Sequence, residues 1–235
     1  MLFRSTLPAA AENLGAEPPA TDTSSGAESG VMKLWKCSDF ELIKKPEGLD
    51  LLGQGIIRQG QMTLLIGQGG LGKSTLAFAL PVAGVRREKH FAGIPLHKSP
   101  FTCLIFNAEA SQYRWKDDFL AAKAGTPANF HEDFDSHIHI APLFDQKSGC
   151  FEQGSFAIQI KRLVAKVMPD LVVFDPWSEF AIDEIDSKNV RNSIRQLKDA
   201  VWSANPNAAI LVVIHGKPGM EAAAAGASNF GAARM

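Results

Sequence analysis

The sequence predicts an α/β fold in which a predominantly parallel sheet is flanked by helices. From about residue 50, short apolar runs typical of strands alternate with stretches of helical periodicity. Several runs, such as DLVVFD at 170–175 and AAILVVIH at 208–215, also lack the in–out alternation of a strand with one solvated face. Strands that are buried on both faces lose this alternation, and helices between them provide the crossovers that parallel strands require.

The first half of the folded region contains two strands, each followed by a helix. MTLLIG (62–67) reads as a strand, and a helix is expected from about Lys73. FTCLIFN (101–107) is the next strand, and SQYRWKDDFLAAKAG suits a helix that ends at Gly125, since glycine favours helix C-termini. These two strand–helix units are the expected start of the parallel sheet.

The second half continues the alternation. HIHIA (137–141) is a short predicted strand, and Ser155 is a candidate N-cap for the next helix. One face of that helix would carry the apolar residues Phe156, Ile160, Leu163 and Val167. After strand 170–175, a helix from about Ser187 would present the stripe Val190, Ile194, Leu197 and Val201. Strand 208–215 closes the series. His137 and His139 alternate on their predicted strand, but this spacing is not diagnostic of a metal site.

Composition restricts the class of protein. The 235 residues are 46% apolar and 21% charged, as in ordinary globular proteins, and the net charge of -1 gives no global support for nucleic-acid binding. Residues 1–30 are rich in Ala, Pro, Ser, Thr and Gly and are expected to be a disordered tail, with one folded domain over 31–235. No apolar run approaches the roughly 18 residues of a membrane span. Three widely spaced cysteines favour a reducing compartment, so we expect a cytoplasmic protein without a membrane partner.

The strongest motif is the P-loop, the stretch GQGGLGKST at 67–75. It satisfies G-x-x-x-x-G-K-[ST] between a predicted strand and a predicted helix. Its glycines let backbone N–H groups approach phosphate oxygens, and the helix N-terminus favours negative charge. Lys73 would contact the β- and γ-phosphates of a nucleoside triphosphate, and the Ser74 hydroxyl would bind Mg²⁺. The predicted nucleotide-binding residues are Gly67, Gln68, Gly69, Gly70, Leu71, Gly72, Lys73, Ser74 and Thr75.

Two carboxylates follow predicted strands. Asp175 ends the run LVVFD, at the sheet edge where ligands bind, and would hold Mg²⁺ together with Ser74. Glu109 follows the strand after the P-loop helix, so its carboxylate would emerge at the same edge as a general base for the attacking water. Glu179 is a rival for that role, whereas Trp177 is expected to pack.

The order of these segments resembles the RecA-like ATPases, and most closely the AAA_25 family, which includes plasmid replicative helicases of the RepA type. The resemblance is carried by LLGQGIIRQGQMTLLIGQGGLGKSTLA, HFAGIPLHKSPFTCLIFNAE, LVVFDPWSEF, LVVIHGK and GASNFGAAR, and it covers residues 50–234. It implies a RecA-like P-loop NTPase fold, ATP and Mg²⁺ as ligands, and a homo-oligomer such as a hexameric ring. The implied activity is ATP hydrolysis in a helicase-type motor for plasmid or phage DNA replication, with single-stranded DNA as partner although the net charge gives no support for it.

The resemblance also implies roles for single residues. Glu109 would be the catalytic base, Lys73 would neutralise phosphate charge, and His215 would sense the γ-phosphate with support from Lys217. Arg234 stands where the family places an arginine finger that reaches a neighbouring subunit's nucleotide.

The chain departs from the family pattern at three points. It has a single histidine where many relatives have two, it has Ala225 where an arginine is common, and it ends at Met235, before the last strands that the family implies. A domain truncated at its C-terminus is therefore expected.

Two other functions remain open at this point. The chain could bind ATP as a regulatory, partner-binding module that does not move along DNA. A P-loop small-molecule kinase is a weaker alternative, because it needs an arginine-rich lid and the arginines after the P-loop cluster only at Arg86 and Arg87. The sequence does not show whether the substrate is DNA or RNA, in which direction a motor would move along it, how many subunits a ring would have, or which partner would load it.

Overall fold

The structure is a computed structural model that describes residues 36–41, 47–143, 151, 154–181 and 187–216. The chain divides into two compact units, Met1–Lys45 and Pro46–Met235. Helix α1 (Cys37–Glu41) belongs to the first unit, and all other described elements belong to the second. The second unit's helices are α2 (Lys73–Val85), α3 (Gln112–Ala124), α4 (His131–His137), α5 (Gly154–Val167) and α6 (Ser187–Trp202).

Five strands of the second unit form the predicted parallel sheet, in the order β3-β9-β8-β6-β7. Their bounds are β3 (Met62–Gly67), β6 (Cys103–Asn107), β7 (Ile138–Pro142), β8 (Leu171–Asp175) and β9 (Ala209–His215). Two short antiparallel pairs form separate two-stranded sheets: β1 (Asp50–Leu52) with β2 (Ile57–Arg58), and β4 (His90–Phe91) with β5 (Ile94–Pro95). The α/β class with a parallel sheet flanked by helices is confirmed.

The central strands are buried on both faces, as their unbroken apolar runs predicted. On β8, Leu171 and Val173 contribute to one hydrophobic cluster, which includes residues of α2 and α4. Val172 and Phe174 contribute to the other, which includes residues of α5 and α6. Full burial of a large apolar side chain contributes about 1.5–3 kcal/mol. This two-sided core therefore holds the ends of the strands in fixed positions.

The strand that precedes the P-loop lies at an edge of the sheet, where β3 pairs with β9. Leu64 and Ile66 remain 45% and 49% exposed on this edge strand. The apolar run MTLLIG therefore predicted a strand correctly but did not show that the strand lies at an edge of the sheet. Leu64 and Ile66 are apolar, as residues of a central strand would be, so nothing in the sequence indicated their exposure.

Two local predictions were wrong. His137 is the last residue of α4 and not part of a strand, because the strand begins at Ile138. His137 Nδ1 lies 3.3 Å from Thr102 Oγ1. Helix α5 already includes Gly154, so Ser155 stands inside the first turn and is not its N-cap. Among the described residues, none of the helices combines the length and apolar character that crossing a membrane requires.

Candidate active site

The P-loop connects β3 to α2 at the carboxyl edge of the sheet. Gly70 and Gly72 have φ values of 80° and 78°, in the left-handed region that favours glycine. Gly72 is the residue before α2, and its carbonyl accepts the first helical hydrogen bond from Leu76 N at 2.8 Å. The loop thus opens directly onto a helix N-terminus, the arrangement that binds phosphate in P-loop proteins.

Lys73 is held inside the loop. Its side chain is buried, and Nζ donates hydrogen bonds to the carbonyl oxygens of Gly67 at 2.8 Å and Gln68 at 2.7 Å. Because Nζ has three N–H groups, the third can donate to His215 Nδ1, which lies 3.4 Å away. The ammonium group is therefore positioned at the loop before a phosphate arrives.

Ser74 and Asp175 meet at the base of the loop, as the sequence predicted. Ser74 Oγ donates to Asp175 Oδ1 at 3.1 Å, so a hydroxyl oxygen and a carboxylate oxygen stand side by side. Hard oxygen ligands of this kind are what Mg²⁺ binds in proteins, usually through one or two protein groups while water and phosphate complete the octahedron. The two residues fit a magnesium ion without any further protein ligand.

The carboxylate of Asp175 is almost completely buried, with 2% of the residue exposed. Burial raises its pKa above the ordinary aspartate value, and the nearby Glu109 adds to this, while hydrogen bonds from Ser74 and Asn107 and the charge of His215 act in the opposite direction. A buried carboxylate that is costly to charge gains from a nearby cation, so this environment favours a metal ion beside Asp175.

His215 ends β9 between Lys73 and Glu109. When the imidazole is neutral, the Lys73 ammonium group at Nδ1 makes that nitrogen the acceptor and leaves the ring proton on Nε2. Nε2 lies 3.7 Å from Glu109 Oε2, which is beyond hydrogen-bond distance. The side chains are 37% and 62% exposed, so the pair contributes little to stability. Both groups are free to reorganise around a ligand.

Lys73, Ser74, Glu109 and His215 line one cavity of about 620 Å³, and Asp175 lies behind Ser74, to which it is hydrogen-bonded. One wall is the P-loop and the start of α2, and the strand ends contribute Asn107, Glu109 and His215. The opposite wall is formed by Ser111, the N-cap of α3, and by the first part of that helix, with Arg114, Trp115 and Asp118. The volume lies within the range of small-molecule sites, about 300–1,000 Å³.

The structure therefore brings most of the predicted site residues to one edge of the sheet. The β3–β9 register places Gly67 opposite His215, and the β6–β8 register places Asn107 opposite Asp175. Glu179 is exposed in the 3-10 turn Trp177–Glu179 and, among the described residues, is not one of those that line the cavity. Trp177 is buried in the core, as expected. Lys217, Ala225 and Arg234 lie outside the described residues.

Sequence reasoning missed Asn107 and the α3 wall. Asn107 is the one polar residue of the run CLIFN, and a polar residue at the buried end of a core strand is the signal that could have identified it. Trp115 packs edge-on against Phe78 of α2, with ring centroids 5.3 Å apart, and thereby joins the α3 wall to the P-loop helix.

The parallel sheet, the P-loop and the Ser74–Asp175 pair define a P-loop nucleotide-binding protein of the RecA-like type. The AAA_25 family, described as an AAA domain, matches residues 30–220. The chain belongs to this family of RecA-like P-loop ATPases.

Comparison with solved structures finds a KaiC-like protein from the hyperthermophilic archaeon Pyrococcus horikoshii OT3. It is 19% identical, the match covers 74% of this chain and 70% of that chain, and the TM-score is 0.48. No curated protein matches the chain at a significant level.

Proposed function

We propose that this chain binds ATP with Mg²⁺ and hydrolyses the bond between the β- and γ-phosphates, releasing ADP and phosphate. The observation that carries the proposal is the arrangement around the cavity: Lys73 in the P-loop, the Ser74–Asp175 pair beneath it, and Glu109 and His215 at the strand ends. A P-loop alone supports binding, whereas a carboxylate across the same cavity supports hydrolysis, which needs a group to orient water.

Each residue has a separate task in this mechanism. Ser74 and Asp175 hold Mg²⁺, which when bound neutralises charge on the β- and γ-phosphates. Lys73 exchanges its hydrogen bonds to the loop carbonyls for phosphate oxygens. Glu109 orients a water molecule and accepts its proton. Its side chain is 62% exposed, so water can reach it. His215 donates from Nε2 towards the γ-phosphate and so distinguishes ATP from ADP.

We further propose that hydrolysis drives a helicase-type motor in plasmid or phage DNA replication, built from several copies of the chain. Family membership supports this, because the replicative helicases that the sequence resembles use the same core. In such a ring, for which the family resemblance implies a hexamer, Arg234 would reach the nucleotide of a neighbour and stabilise charge in the transition state.

The decisive experiment measures steady-state ATP hydrolysis and binding of a fluorescent ATP analogue for Glu109→Gln. Loss of a general base is expected to lower kcat about 10²- to 10⁴-fold, while binding of the analogue stays unchanged. Glu132→Gln is the matched control, because Glu132 is exposed on α4 and does not line the cavity. Retained turnover in Glu109→Gln would show that the base is another residue, with Glu179 as the next to test.

The motor is tested by hydrolysis with and without single-stranded DNA, together with the native mass of the assembly. Stimulation by DNA and a multiple of the chain mass are expected. An unstimulated monomer that binds ATP would instead be a regulatory module, and transfer of phosphate to a small acceptor would identify a kinase.

A further inference from the structure

Asn107 is the last residue of β6 and lies between the two carboxylates of the site. It is buried, with 1% of the residue exposed, and stands directly opposite Asp175 in the parallel pairing of β6 with β8. Glu109 follows two residues later. A buried amide costs free energy unless both of its ends are hydrogen-bonded, so its partners show what the residue does.

The amide nitrogen of Asn107 faces the metal carboxylate. Nδ2 donates to Asp175 Oδ2 at 3.2 Å and to the Asp175 carbonyl oxygen at 3.1 Å. Asp175 Oδ1 accepts from Ser74 at the same time. The two carboxylate oxygens therefore have one donor each, and together these donors fix the plane of the carboxylate at the base of the P-loop.

The amide oxygen of Asn107 faces the turn that carries Glu109. Oδ1 accepts from Ala110 N at 2.8 Å, and Trp115 Nε1 lies 3.4 Å away. Backbone N–H and indole N–H groups can only donate, and the Asp175 carbonyl can only accept, so the orientation of the amide is determined by its partners. One side chain thus joins the metal carboxylate, the Glu109 turn and helix α3.

We propose that Asn107 is a positioning residue that holds the Asp175 carboxylate and the Glu109 turn in a fixed relation. Its nitrogen sets the orientation of Asp175 for Mg²⁺, and its oxygen sets the path of the chain that presents Glu109. The inference rests on the proposed function, since it concerns how the same site is assembled. Partners of metal ligands act in this way, and their removal typically costs about 10- to 100-fold in metal affinity or activity.

The chain contains a second buried asparagine that separates positioning from ordinary structural support. Asn205 is 8% exposed, its Nδ2 donates to the Pro169 carbonyl at 2.9 Å, and its Oδ1 accepts from Asn207 N at 3.2 Å. It lies in the loop before β9, at the amino edge of the sheet and away from the P-loop. Asn205→Leu therefore removes another buried amide that is hydrogen-bonded at both ends, and none of its described partners belongs to the proposed metal site.

The test measures how Mg²⁺ tightens binding of a fluorescent ATP analogue, with EDTA as the metal-free reference. Asn107→Leu keeps the side chain at a similar size and removes both the donor and the acceptor of the amide. It is expected to raise the Mg²⁺ concentration that gives half of the tightening about 10- to 100-fold. The affinity for the analogue in EDTA should stay unchanged. Asn107→Ser keeps an acceptor near Ala110 N but is too short to donate to Asp175. It should show the same Mg²⁺ shift, with kcat at saturating Mg²⁺ closer to that of the unsubstituted chain.

The Asn205→Leu variant should lose thermal stability but keep the Mg²⁺ dependence of the unsubstituted chain. An unchanged Mg²⁺ midpoint in both Asn107 variants overturns the inference, and so does an equal shift in Asn205→Leu. Asn107→Ser is the milder change and decides the question if Asn107→Leu does not fold. If the unsubstituted chain binds the analogue equally with Mg²⁺ and EDTA, there is no metal site to position and the inference is also wrong. If binding depends on Mg²⁺ and shifts as expected but no hydrolysis occurs, the proposed ATPase fails while the positioning role stands.

Discussion

Replacing Asp175 by asparagine tests the most unusual environment in the site. The carboxylate is buried, and burial raises its pKa above the ordinary value of 3.8. Asp175→Asn keeps the size of the side chain and removes the charge. An asparagine oxygen can still accept from Ser74, but its nitrogen would face the nitrogen of Asn107, so one hydrogen bond is lost, at a cost of about 1 kcal/mol that does not depend on pH.

The effect of pH on stability has a definite sign. Because the folded pKa lies above the unfolded one, the folded chain binds more protons than the unfolded chain between these two values. The contribution of Asp175 to the free energy of unfolding therefore falls as pH rises through that window, by up to about 1.4 kcal/mol per pH unit, and the penalty is fully present above the folded pKa. Well below pH 3.8 the carboxyl group is neutral in both states and contributes nothing. Asp175→Asn lacks this decline.

Urea unfolding of both proteins in EDTA, at pH values from about 4 to 8, measures this difference directly, because the titrations that the two chains share cancel. Unfolding is then repeated at neutral pH with Mg²⁺ and ATP. Ligand at a hundredfold excess over its Kd adds about 2.7 kcal/mol to the stability of a chain that binds it. The chain with Asp175 should gain this stability, whereas Asp175→Asn should gain less.

Two results would refute the reasoning. If the free energies of unfolding of the two proteins run parallel across the pH series, then Asp175 titrates alike in the folded and unfolded chains and its burial has no electrostatic consequence. If Mg²⁺ and ATP stabilise Asp175→Asn as strongly as the unsubstituted chain, then Asp175 does not hold the metal ion.

Two further substitutions test the core and the sensor. Gly84→Ala places a Cβ atom 2.7 Å from Cε1 of the buried Phe101 ring, so we expect the free energy of unfolding to fall by about 1–3 kcal/mol. Gly154→Ala is the control, because among the described residues its Cβ atom would meet nothing within 4 Å, and in urea unfolding its free energy should change by no more than about 0.5 kcal/mol. His215→Ala is expected to weaken binding of a non-hydrolysable ATP analogue roughly tenfold, as loss of a hydrogen bond to a charged group does, and to leave ADP binding unchanged. Equal losses for both nucleotides would show that His215 does not contact the γ-phosphate.

Much of the fold could be predicted because the large elements have strong local patterns. The apolar runs at 62–67, 170–175 and 208–215 correspond to strands of the sheet, and the stripes of α5 and α6 face the core as their periodicity indicated. Helix α4 and the pairs β1–β2 and β4–β5 were not predicted. They have seven residues or fewer, too few for a period to stand out, and the pairs depend on contacts with distant segments.

Strand order could not be predicted from the sequence alone. The runs of β3 and β8 are both rich in Leu, Val and Ile, but β8 is central and fully buried while β3 lies at an edge. Pairing energies depend on neighbours that are far apart in the chain, so an apolar run indicates a strand without giving its place in the sheet. The predicted site did not depend on that order, since every parallel strand ends at the same edge.

The site was predictable where a residue's chemistry is local to a motif, and unpredictable where it depends on register. Lys73 and Ser74 follow from the P-loop, and Glu109 and Asp175 from carboxylates at strand ends. Asn107 is different, because the role that we propose for it depends on its pairing with Asp175, 68 residues away in the chain, and a polar residue at a strand end does not indicate that partner. No spacing rule connects the two positions, and the resemblance to known ATPases did not identify Asn107 either.

Burial supports the different roles that we propose for the two carboxylates. Asp175 is enclosed and has a hydrogen-bond donor on each oxygen, so it cannot move to follow a proton and suits a fixed metal ligand. The Glu109 side chain is 62% exposed and faces the cavity, so water reaches it and it can change position during a reaction. Carboxylates whose environments differ in this way take different parts in catalysis. If the two roles were exchanged, the metal ligand would be the mobile Glu109 and the base would be the immobile Asp175. The surroundings of neither carboxylate suit that role.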